Sequence, residues 1–393
     1  MKIVRANWWK IGLVATILFH ALCSAHALQQ RQSVPGAQSE SQLRDESASA
    51  ASRQSEADRA DEELKQGTTL TRRGKFKEAI PHLLAARGNV TSEYALEFNL
   101  SLCYVGVGDG PKAISILEGL RQKKHDTADV ENLLAQAYVG KGQRAEALAA
   151  LERAAAISPQ NEKLFAFVAD ACTDAQDFEL GLKVVDIGLR TLSQSARLHY
   201  QKAMLLTQLD QFDRAREDFG LAIKLGQGSE IGYLAAGQEA LLVGDIPGGI
   251  RAAREGISKG MQNPALLAIL GRALLLSGIG PGQPEFTEAQ NALEKAVAER
   301  PNDAGSQIAL GQIYLLGSHL DDAIAHLLAA CELKPDQPSI YANLAKAYQR
   351  KGDSQRAQDA LAKLESLNQA QAERIRSAPG ERKASYAGGS PPQ

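Results

Sequence analysis

The residues of this chain that could do chemistry are few and poorly placed for it. Gly106-Val-Gly108-Asp-Gly110 has the glycine content of a phosphate-binding loop, but it follows an apolar helical stretch, whereas such a loop follows a strand. His326 stands four residues after Asp322, a spacing typical of a surface pair on one helix. No His-Glu-x-x-His motif and no histidine–cysteine pair at metal-ligand spacing occurs. We therefore predict no catalytic residue, no metal site, no cofactor and no enzymatic activity.

The cysteines indicate packing rather than redox chemistry. Cys23 lies near the N-terminus, and Cys103, Cys172 and Cys331 each lie in an apolar helical stretch. Three cysteines beyond the N-terminal segment cannot form a closed disulfide framework. Their simplest interpretation is that they are small buried hydrophobic side chains. Oxidation of one pair in an oxidising compartment stays open as an alternative.

Composition and charge favour a helical protein that does not bind nucleic acid. The chain has 393 residues, of which 23% are charged and only 5% aromatic, and its formal net charge is −2. Such a composition suits helices whose cores are built from alanine and leucine. No long basic run is present, so the electrostatic signature of a nucleic-acid-binding protein is missing.

Residues 1–27 have the three-part layout of a secretory signal peptide. Lys2, Arg5 and Lys10 form a basic start, residues 11–22 are apolar, and Ala25-His26-Ala27 matches a cleavage site. We predict cleavage after Ala27 and a periplasmic or secreted protein from a bacterium. The alternative is an uncleaved leader that anchors the chain in the inner membrane, which is the only form in which we expect membrane contact.

Two further segments are predicted to be disordered. Residues 28–59 are rich in Gln, Ser, Ala, Arg and Glu and contain almost no large apolar side chains, so they cannot bury enough surface to offset the entropy of ordering. We predict a disordered linker there, with transient helix permitted by its Ala, Glu and Arg content. Residues 372–393 end in a stretch rich in Gly, Ser and Pro and are predicted to be a disordered tail.

Residues 60–371 repeat with a period of 34 residues. Repeats begin at residues 60, 94, 128, 162, 196, 230, 264, 304 and 338, with six extra residues in the seventh, around residues 278–284. The extra residues include Gly and Pro and are predicted to form a surface loop, either a tolerated insertion or a contact loop. Within each repeat the apolar residues recur at spacings of three and four, which indicates two helices, A and B.

Fixed positions within the repeat show how the two helices pack. Positions 8 and 20 are always small, which marks a close approach of helix A to helix B, and position 24 is mostly a larger apolar residue that fills the space between repeats. Position 15 is glycine in six repeats, where a positive φ can end helix A. Proline at position 32 marks the end of helix B in three repeats. The residues at position 8 are Gly67, Ser101, Ala135, Ala169, Ala203, Gly237, Gly271, Gly311 and Ala345.

These features resemble the tetratricopeptide repeat: a small residue at position 8, an apolar or aromatic one at 11, Ala at 20 and 27, and Pro at 32. The family's Trp at position 4 is absent, and the repeats beginning at 162 and 230 are the most divergent. The resemblance implies an all-α fold, a right-handed α-solenoid of about nine antiparallel helix pairs, with helix A lining a concave groove. Stacked repeats of this kind share one continuous core.

In the family, positions 2, 5, 6, 9 and 12 of helix A meet the ligand, and here several of them carry amide groups that can both donate and accept hydrogen bonds. We predict that the chain is a scaffold or adaptor of the bacterial cell envelope that binds a protein or peptide in this groove. The alternative is a glycan- or peptidoglycan-associated structural protein. The predicted groove residues are Asn99, Asn132, Gln136, Tyr200, Gln201, Gln238, Arg272, Gln312, Asn343 and Lys346.

Overall fold

The computed structural model describes residues 40–377, and this part of the chain is all-α, with 18 helices and no strand. Contacts divide the chain into an N-terminal unit that ends at Ser193 and a C-terminal unit that begins at Gln194. Each unit is a stack of helix pairs in which helix A contacts its own helix B and the helix A of the following repeat. The predicted fold class, a helical-repeat solenoid, is confirmed.

The helix bounds follow the repeat numbering closely. The helices of the N-terminal unit are α1 (Glu40–Arg72), α2 (Phe76–Ala85), α3 (Glu93–Val107), α4 (Gly110–Gln122), α5 (Ala128–Gly140), α6 (Arg144–Ile157), α7 (Glu162–Asp174) and α8 (Phe178–Thr191). The helices of the C-terminal unit are α9 (Ala196–Gln208), α10 (Phe212–Leu225), α11 (Glu230–Val243), α12 (Ile246–Ser258), α13 (Pro264–Leu276), α14 (Pro284–Glu299), α15 (Ala304–Leu316), α16 (Leu320–Leu333), α17 (Pro338–Lys351) and α18 (Ser354–Ser377).

The small residue at position 8 faces the large residue at position 24 of the same repeat. A Cβ atom added to Gly271 would lie 2.4 Å from Cγ of Leu293, and one added to Gly311 would lie 2.8 Å from Cγ of Leu327. Position 24 therefore packs within its own repeat, against helix A, as well as toward the next repeat. The close approach predicted from the small residues exists, and leucine on helix B is what requires it.

All nine turns between helix A and helix B use a left-handed residue at position 15. The six predicted glycines have positive φ: Gly74, Gly108, Gly142, Gly244, Gly278 and Gly352. In the three repeats without glycine, Gln176, Asp210 and Ser318 adopt the same conformation, with φ of 57°, 58° and 65°. The turn geometry is thus set by the repeat, and the side chain at position 15 adapts to it at some energetic cost.

Most A helices begin at a polar residue that caps the free backbone N–H groups. Thr127 accepts a hydrogen bond from the N–H of Val130, Ser195 from that of Leu198, and Asp303 from those of Gly305 and Ser306. Such caps each stabilise a helix by about 1 kcal/mol. They fix where helix A starts and therefore which of its side chains lie on a given face.

The six-residue insertion forms an anchored loop between α13 and α14. Ile279 is only 8% exposed and belongs to a core cluster that also contains Phe286. The N–H of Gly280 donates to Oε1 of Gln283 at 2.9 Å, and Pro284 then opens α14. The loop is therefore tied to the body of its own repeat.

The two ends of the array differ from the sequence-based prediction. Residues 40–59, predicted to be a disordered linker, form the first half of α1, and residues 372–377, predicted to be tail, extend α18. Both segments are rich in residues of high helix propensity and continue a helix that packing already holds. The predicted signal peptide and residues 28–39 and 378–393 lie outside the described part of the chain. Among helices in residues 40–377, none is long and apolar enough to cross a bilayer.

The last repeat exposes a side chain that the others bury. Leu293 and Leu327, at position 24 of the two preceding repeats, are 0% exposed, whereas Leu361 at the same position is 43% exposed. Within residues 40–377, no helix A follows α18 to cover it. The end of the array is therefore structurally distinct from its interior.

Candidate functional site

The candidate site is the face of helix A formed by positions 2, 5, 6, 9, 12 and 13 of each repeat, which we call the helix-A face. In the N-terminal unit its amide side chains are buried. Asn132 is 4% exposed, and its Nδ2 donates to the carbonyl oxygen of Leu164 in α7 at 2.6 Å. Gln136 is 3% exposed, and its Nε2 donates to Oδ1 of Asn132 at 2.8 Å. Asn132 therefore joins α5 to α7, and Gln136 supports it from one turn further along α5.

Asn132 and Gln136, which the sequence predicts to contact a ligand, are thus buried, and that contact stays a prediction. Asn343 in the C-terminal unit is also buried, at 7% exposure, and its Nδ2 donates to the carbonyl of Ser339 on its own helix. Asn99 makes the equivalent bond, to the carbonyl of Ala95 at 2.7 Å, and is half-buried. At these positions the amide serves the array itself.

Tyr200 and Gln201 lie together on α9 and are half-buried. The ring of Tyr200 packs 6.2 Å from that of Phe219 in α10, measured between ring centroids. A tyrosine held in this way is a poor stacking platform for a sugar, because one of its faces is already used by the core.

Four predicted residues of the C-terminal unit lie in one row, and they are in the same exposure class as Tyr200 and Gln201 or a more exposed one. Gln238, Arg272 and Gln312 are half-exposed and Lys346 is exposed. They occupy position 9 of four successive repeats, on α11, α13, α15 and α17, and we call them the position-9 row. A Cβ on Gly305 would lie 4.0 Å from Nη1 of Arg272, so the guanidinium group reaches from α13 toward the start of α15.

Leucines that sequence reasoning missed lie one helical turn further along the same helices. Leu242, Leu276 and Leu316 occupy position 13 of three successive repeats, and we call them the leucine row. Leu276 is 60% exposed and Leu316 43%. Recurrence of leucine at one register position would have been a usable signal, since position 13 elsewhere holds Arg72, Gly106, Gly140, Asp174, Gln208 or Arg350.

The helix-A face carries both signs of charge in one unit and no acid in the other. In the N-terminal unit it holds four aspartates and three cations, whereas the five repeats of the C-terminal unit carry no acid at these positions. The charged residues of the N-terminal face are Asp61, Asp129, Asp170, Asp174, Lys65, Arg72 and Lys163. Burial, and then the charge of Asp170, raises the pKa of Asp174 to about 7. Burial also raises the pKa of Asp129.

Helix B supplies carboxylates that tie one repeat to the next. Oη of Tyr138 donates to Oε1 of Glu118 at 2.7 Å, and Oη of Tyr314 donates to Oε1 of Glu294 at 2.8 Å. Burial, followed by the neighbouring carboxylate, raises the pKa of each tyrosine to about 12. These bonds hold the spacing of successive A helices and hence the geometry of the helix-A face.

Two other kinds of site were considered. No group of three or more His, Cys, Asp or Glu side chains within the described residues is arranged to hold a metal ion. A shallow depression of about 330 Å³ lies between α1 and the start of α3, lined by residues that include Asp61, Lys65 and Arg72. Asp61 there accepts a hydrogen bond from the N–H of Thr91 at 2.9 Å, so its carboxylate serves a structural contact.

Comparison with protein families finds matches in both units. The family described as "Tetratricopeptide repeat" matches residues 129–161, 196–225 and 338–371, and the family described as "TPR repeat" matches residues 311–352. Three of the matched stretches begin within one residue of repeat starts identified from the 34-residue period. The divergent repeats that begin at 162 and 230 are outside these matches.

A curated relative is the "Hsp70-Hsp90 organizing protein" of Triticum aestivum, which is 32% identical over 112 residues. The match covers 28% of this chain and 19% of the relative, so the chain spans about a fifth of that protein. Solved structures with a similar fold include a tetratricopeptide repeat protein from Parabacteroides merdae (18% identity, 64% of this chain and 97% of that chain, TM-score 0.45) and the APC/C hetero-tetramer Cut9–Hcn1 (16% identity, 75% and 56%, TM-score 0.48).

The 34-residue period, the left-handed turn at position 15, the small residue at position 8 and the family matches agree in register. They concern the same helix pairs, and each was obtained from a different property of the chain. The chain is a tetratricopeptide-repeat protein.

Proposed function

We propose that this chain is a non-catalytic scaffold that binds a segment of a partner protein on the helix-A face of its C-terminal unit. The observation that carries the proposal is the position-9 row, in which two amides and two cations are accessible on four successive helices. Side chains of this kind recognise peptide groups and carboxylates through hydrogen bonds. The Triticum relative is named for organizing two other proteins, Hsp70 and Hsp90, and a scaffold role is in line with that name.

We further propose that the scaffold works in the bacterial cell envelope. Support for this comes from the leader alone, with its basic start, apolar stretch and Ala25-His26-Ala27 cleavage pattern. Mass spectrometry of the protein recovered from its source cell tests the proposal. An N-terminus at Leu28 is expected, and recovery of the intact chain in the cytosolic fraction would contradict it.

A capture experiment tests the scaffold proposal. The full mature chain is immobilised and exposed to envelope extract beside a variant with Gln238→Ala, Arg272→Ala, Gln312→Ala and Lys346→Ala. We expect a specific protein to be retained by the native chain and lost by this variant, because its accessible hydrogen-bond donors are removed while its core is unchanged.

A matched control removes the same side-chain types from the exposed surface of helix B. It carries Arg251→Ala, Lys295→Ala, Gln355→Ala and Gln358→Ala, all at exposed residues. Retention of the partner by this control is expected. Equal retention by all three proteins would exclude the helix-A face of the C-terminal unit as the binding surface. Retention of glycan and no protein would favour the structural alternative.

A further inference from the structure

The leucine row is an apolar strip that the core of the C-terminal unit does not use. Leu276 exposes 60% of its surface and Leu316 exposes 43%, at the C-terminal ends of consecutive A helices. The position-9 row stands four residues earlier on the same three helices and continues onto α17. Helices α11, α13 and α15 therefore each contribute one leucine and one polar side chain to a common face, and α17 contributes Lys346 and Arg350. An accessible apolar strip beside polar groups is typical of an interaction surface.

The charges beside this strip have one sign. Arg272 and Lys346 make no ion pair within the described residues, and three other charged groups near the row are already engaged or point aside. Asp303 caps the start of α15, and Glu239 lies about 100° around α11 from Gln238. Arg350 donates to the carbonyl of Leu315 and to Oγ of Ser318. A partner that neutralises Arg272 and Lys346 must carry anionic groups, which on an unmodified protein are carboxylates.

The spacing of the leucine row fits an α-helix laid across the A helices. Helices α11, α13 and α15 pack in succession, and packed helices have axes about 8–10 Å apart. Seven residues of an α-helix rise about 10.5 Å, so apolar side chains at heptad spacing would meet successive leucines. Acidic side chains on the flank of such a helix would then lie along the position-9 row.

The chemistry of the strip also favours a helix over an extended peptide. An extended segment must find partners for its backbone N–H and C=O groups, and along the leucine row it would find none, so that only the amides of Gln238 and Gln312, one helical turn away, could pair with them. A helix satisfies those groups internally and needs only an apolar stripe and flanking charges. We propose that the leucine row and the position-9 row together bind an acidic amphipathic α-helix of a partner protein.

Segments of this chain outside the described residues do not fit that description. The leader carries Lys2, Arg5 and Lys10 and no acid. Residues 378–393 contain proline and glycine and more basic than acidic side chains. The charge of the site therefore points to another protein as the source of the helix. This inference rests on the proposed scaffold function and specifies which partner segment the site takes.

The test uses the full mature chain and fluorescent synthetic helices. The probe is a peptide of about 22 residues, long enough for three heptads, with leucine along one face and glutamate beside it. A second peptide replaces every glutamate with glutamine, and a third carries a central proline that blocks the helix. We expect the acidic helix to bind at least about tenfold more tightly than either analogue, and to weaken as salt is raised from about 50 mM to about 500 mM.

Paired variants separate the two halves of the site. Arg272→Gln with Lys346→Gln should remove the preference for glutamate over glutamine, while Leu276→Asn with Leu316→Asn should weaken both peptides. Arg251→Gln with Lys295→Gln, which removes two exposed cations from helix B, should change nothing. All these side chains are exposed or half-exposed, so circular dichroism should show folded proteins, and each result then reports on binding.

Several results would overturn the inference. Equal affinity for the glutamate and glutamine peptides would exclude acidic recognition, and equal affinity for the proline peptide would indicate an extended ligand. Binding of single-stranded nucleic acid or of a second copy of the chain at this face, in place of the peptide, would identify a different occupant. If no helix binds while capture still depends on the position-9 row, the inference fails and the scaffold proposal stands. If capture is also independent of that row, both fail.

Discussion

The two units use the same register positions for opposite purposes. In the N-terminal unit, Asn132 and Gln136 are buried and bonded to each other, and Asn132 connects α5 to α7, whereas Gln238, Arg272 and Gln312 in the C-terminal unit are half-exposed. The residue types are alike in both cases. The difference lies in whether the neighbouring A helix presents a backbone carbonyl within hydrogen-bond reach of the amide. A repeat position therefore fixes a side chain's direction, and the next repeat decides its role.

Charge divides the units in the same way. The helix-A face of the N-terminal unit holds four aspartates beside three cations, and one of the aspartates, Asp174, has its pKa raised to about 7 by burial. The corresponding face in the last four repeats of the C-terminal unit holds cations, amides and leucines. Ionisation of Asp174 lowers the stability of the N-terminal unit. In the C-terminal unit, Arg272 and Lys346 have no ion-pair partner within the described residues.

The largest expected effect on stability comes from replacing an amide side chain by alanine in each unit. Asn132→Ala leaves the side-chain amide of Gln136 without its acceptor in a buried place, so it should lower the free energy of unfolding by about 2–3 kcal/mol. Gln238→Ala, on the accessible face, should change it by less than about 0.5 kcal/mol. Urea unfolding followed by circular dichroism measures both. Similar losses in the two variants would show that the units do not differ.

Asp174 gives a smaller effect that depends on pH. Because its pKa in the folded chain is about 7 and its ordinary value is 3.8, the folded state holds the proton more tightly, and stability falls as pH rises from about 4 to 7. Asp174→Asn should remove this penalty and raise the free energy of unfolding at pH 8 by about 1–2 kcal/mol, with little change at pH 4.

Thermal unfolding of the Asp174→Asn variant between pH 4 and pH 8 measures this effect. Asp213→Asn, which alters an exposed carboxylate on helix B of the C-terminal unit, is the control and should follow the native curve at every pH. A gain in the Asp174→Asn variant that is equally large at pH 4 would contradict a protonation mechanism.

The smallest effect distinguishes turns that look identical in the two units. Gln176 in the N-terminal unit and Gly244 in the C-terminal unit both have left-handed backbone at position 15. Gln176→Gly should raise the free energy of unfolding by about 0.5–1 kcal/mol by relieving steric strain, and Gly244→Ala should lower it by a similar amount. If both substitutions destabilise the chain, contacts of the Gln176 side chain outweigh the strain.

Much of the fold could be predicted because its rules are local and recur. The glycines at position 15 predicted six left-handed turns, and the small residue at position 8 predicted a close helix approach. The remaining turns, at Gln176, Asp210 and Ser318, could not be predicted from these side chains, because none of the three residue types requires the left-handed conformation as glycine permits it. Residues 40–59 were predicted to be disordered because they lack large apolar side chains. A segment that continues an existing helix can be helical without burying such side chains of its own.

The site was harder to predict than the fold. The sequence places Asn132 and Gln238 on the same face, but it does not show how near the carbonyl of Leu164 comes to Asn132. The leucine row was within reach of sequence reasoning, since Leu242, Leu276 and Leu316 share one register position. It was overlooked because apolar residues in a helical array are usually assigned to its core.

The exposed Leu361 has a consequence for how the length of this chain can change. In the preceding repeats, the leucine at this position is covered by the helix that follows it, so the last repeat ends on the same apolar contact that its predecessors offer. Gene duplication of one 34-residue segment would therefore supply a ready-made neighbour for the existing end. An array that ends on such an exposed contact can lengthen in evolution, or in the laboratory, by whole repeats without redesign of its interior.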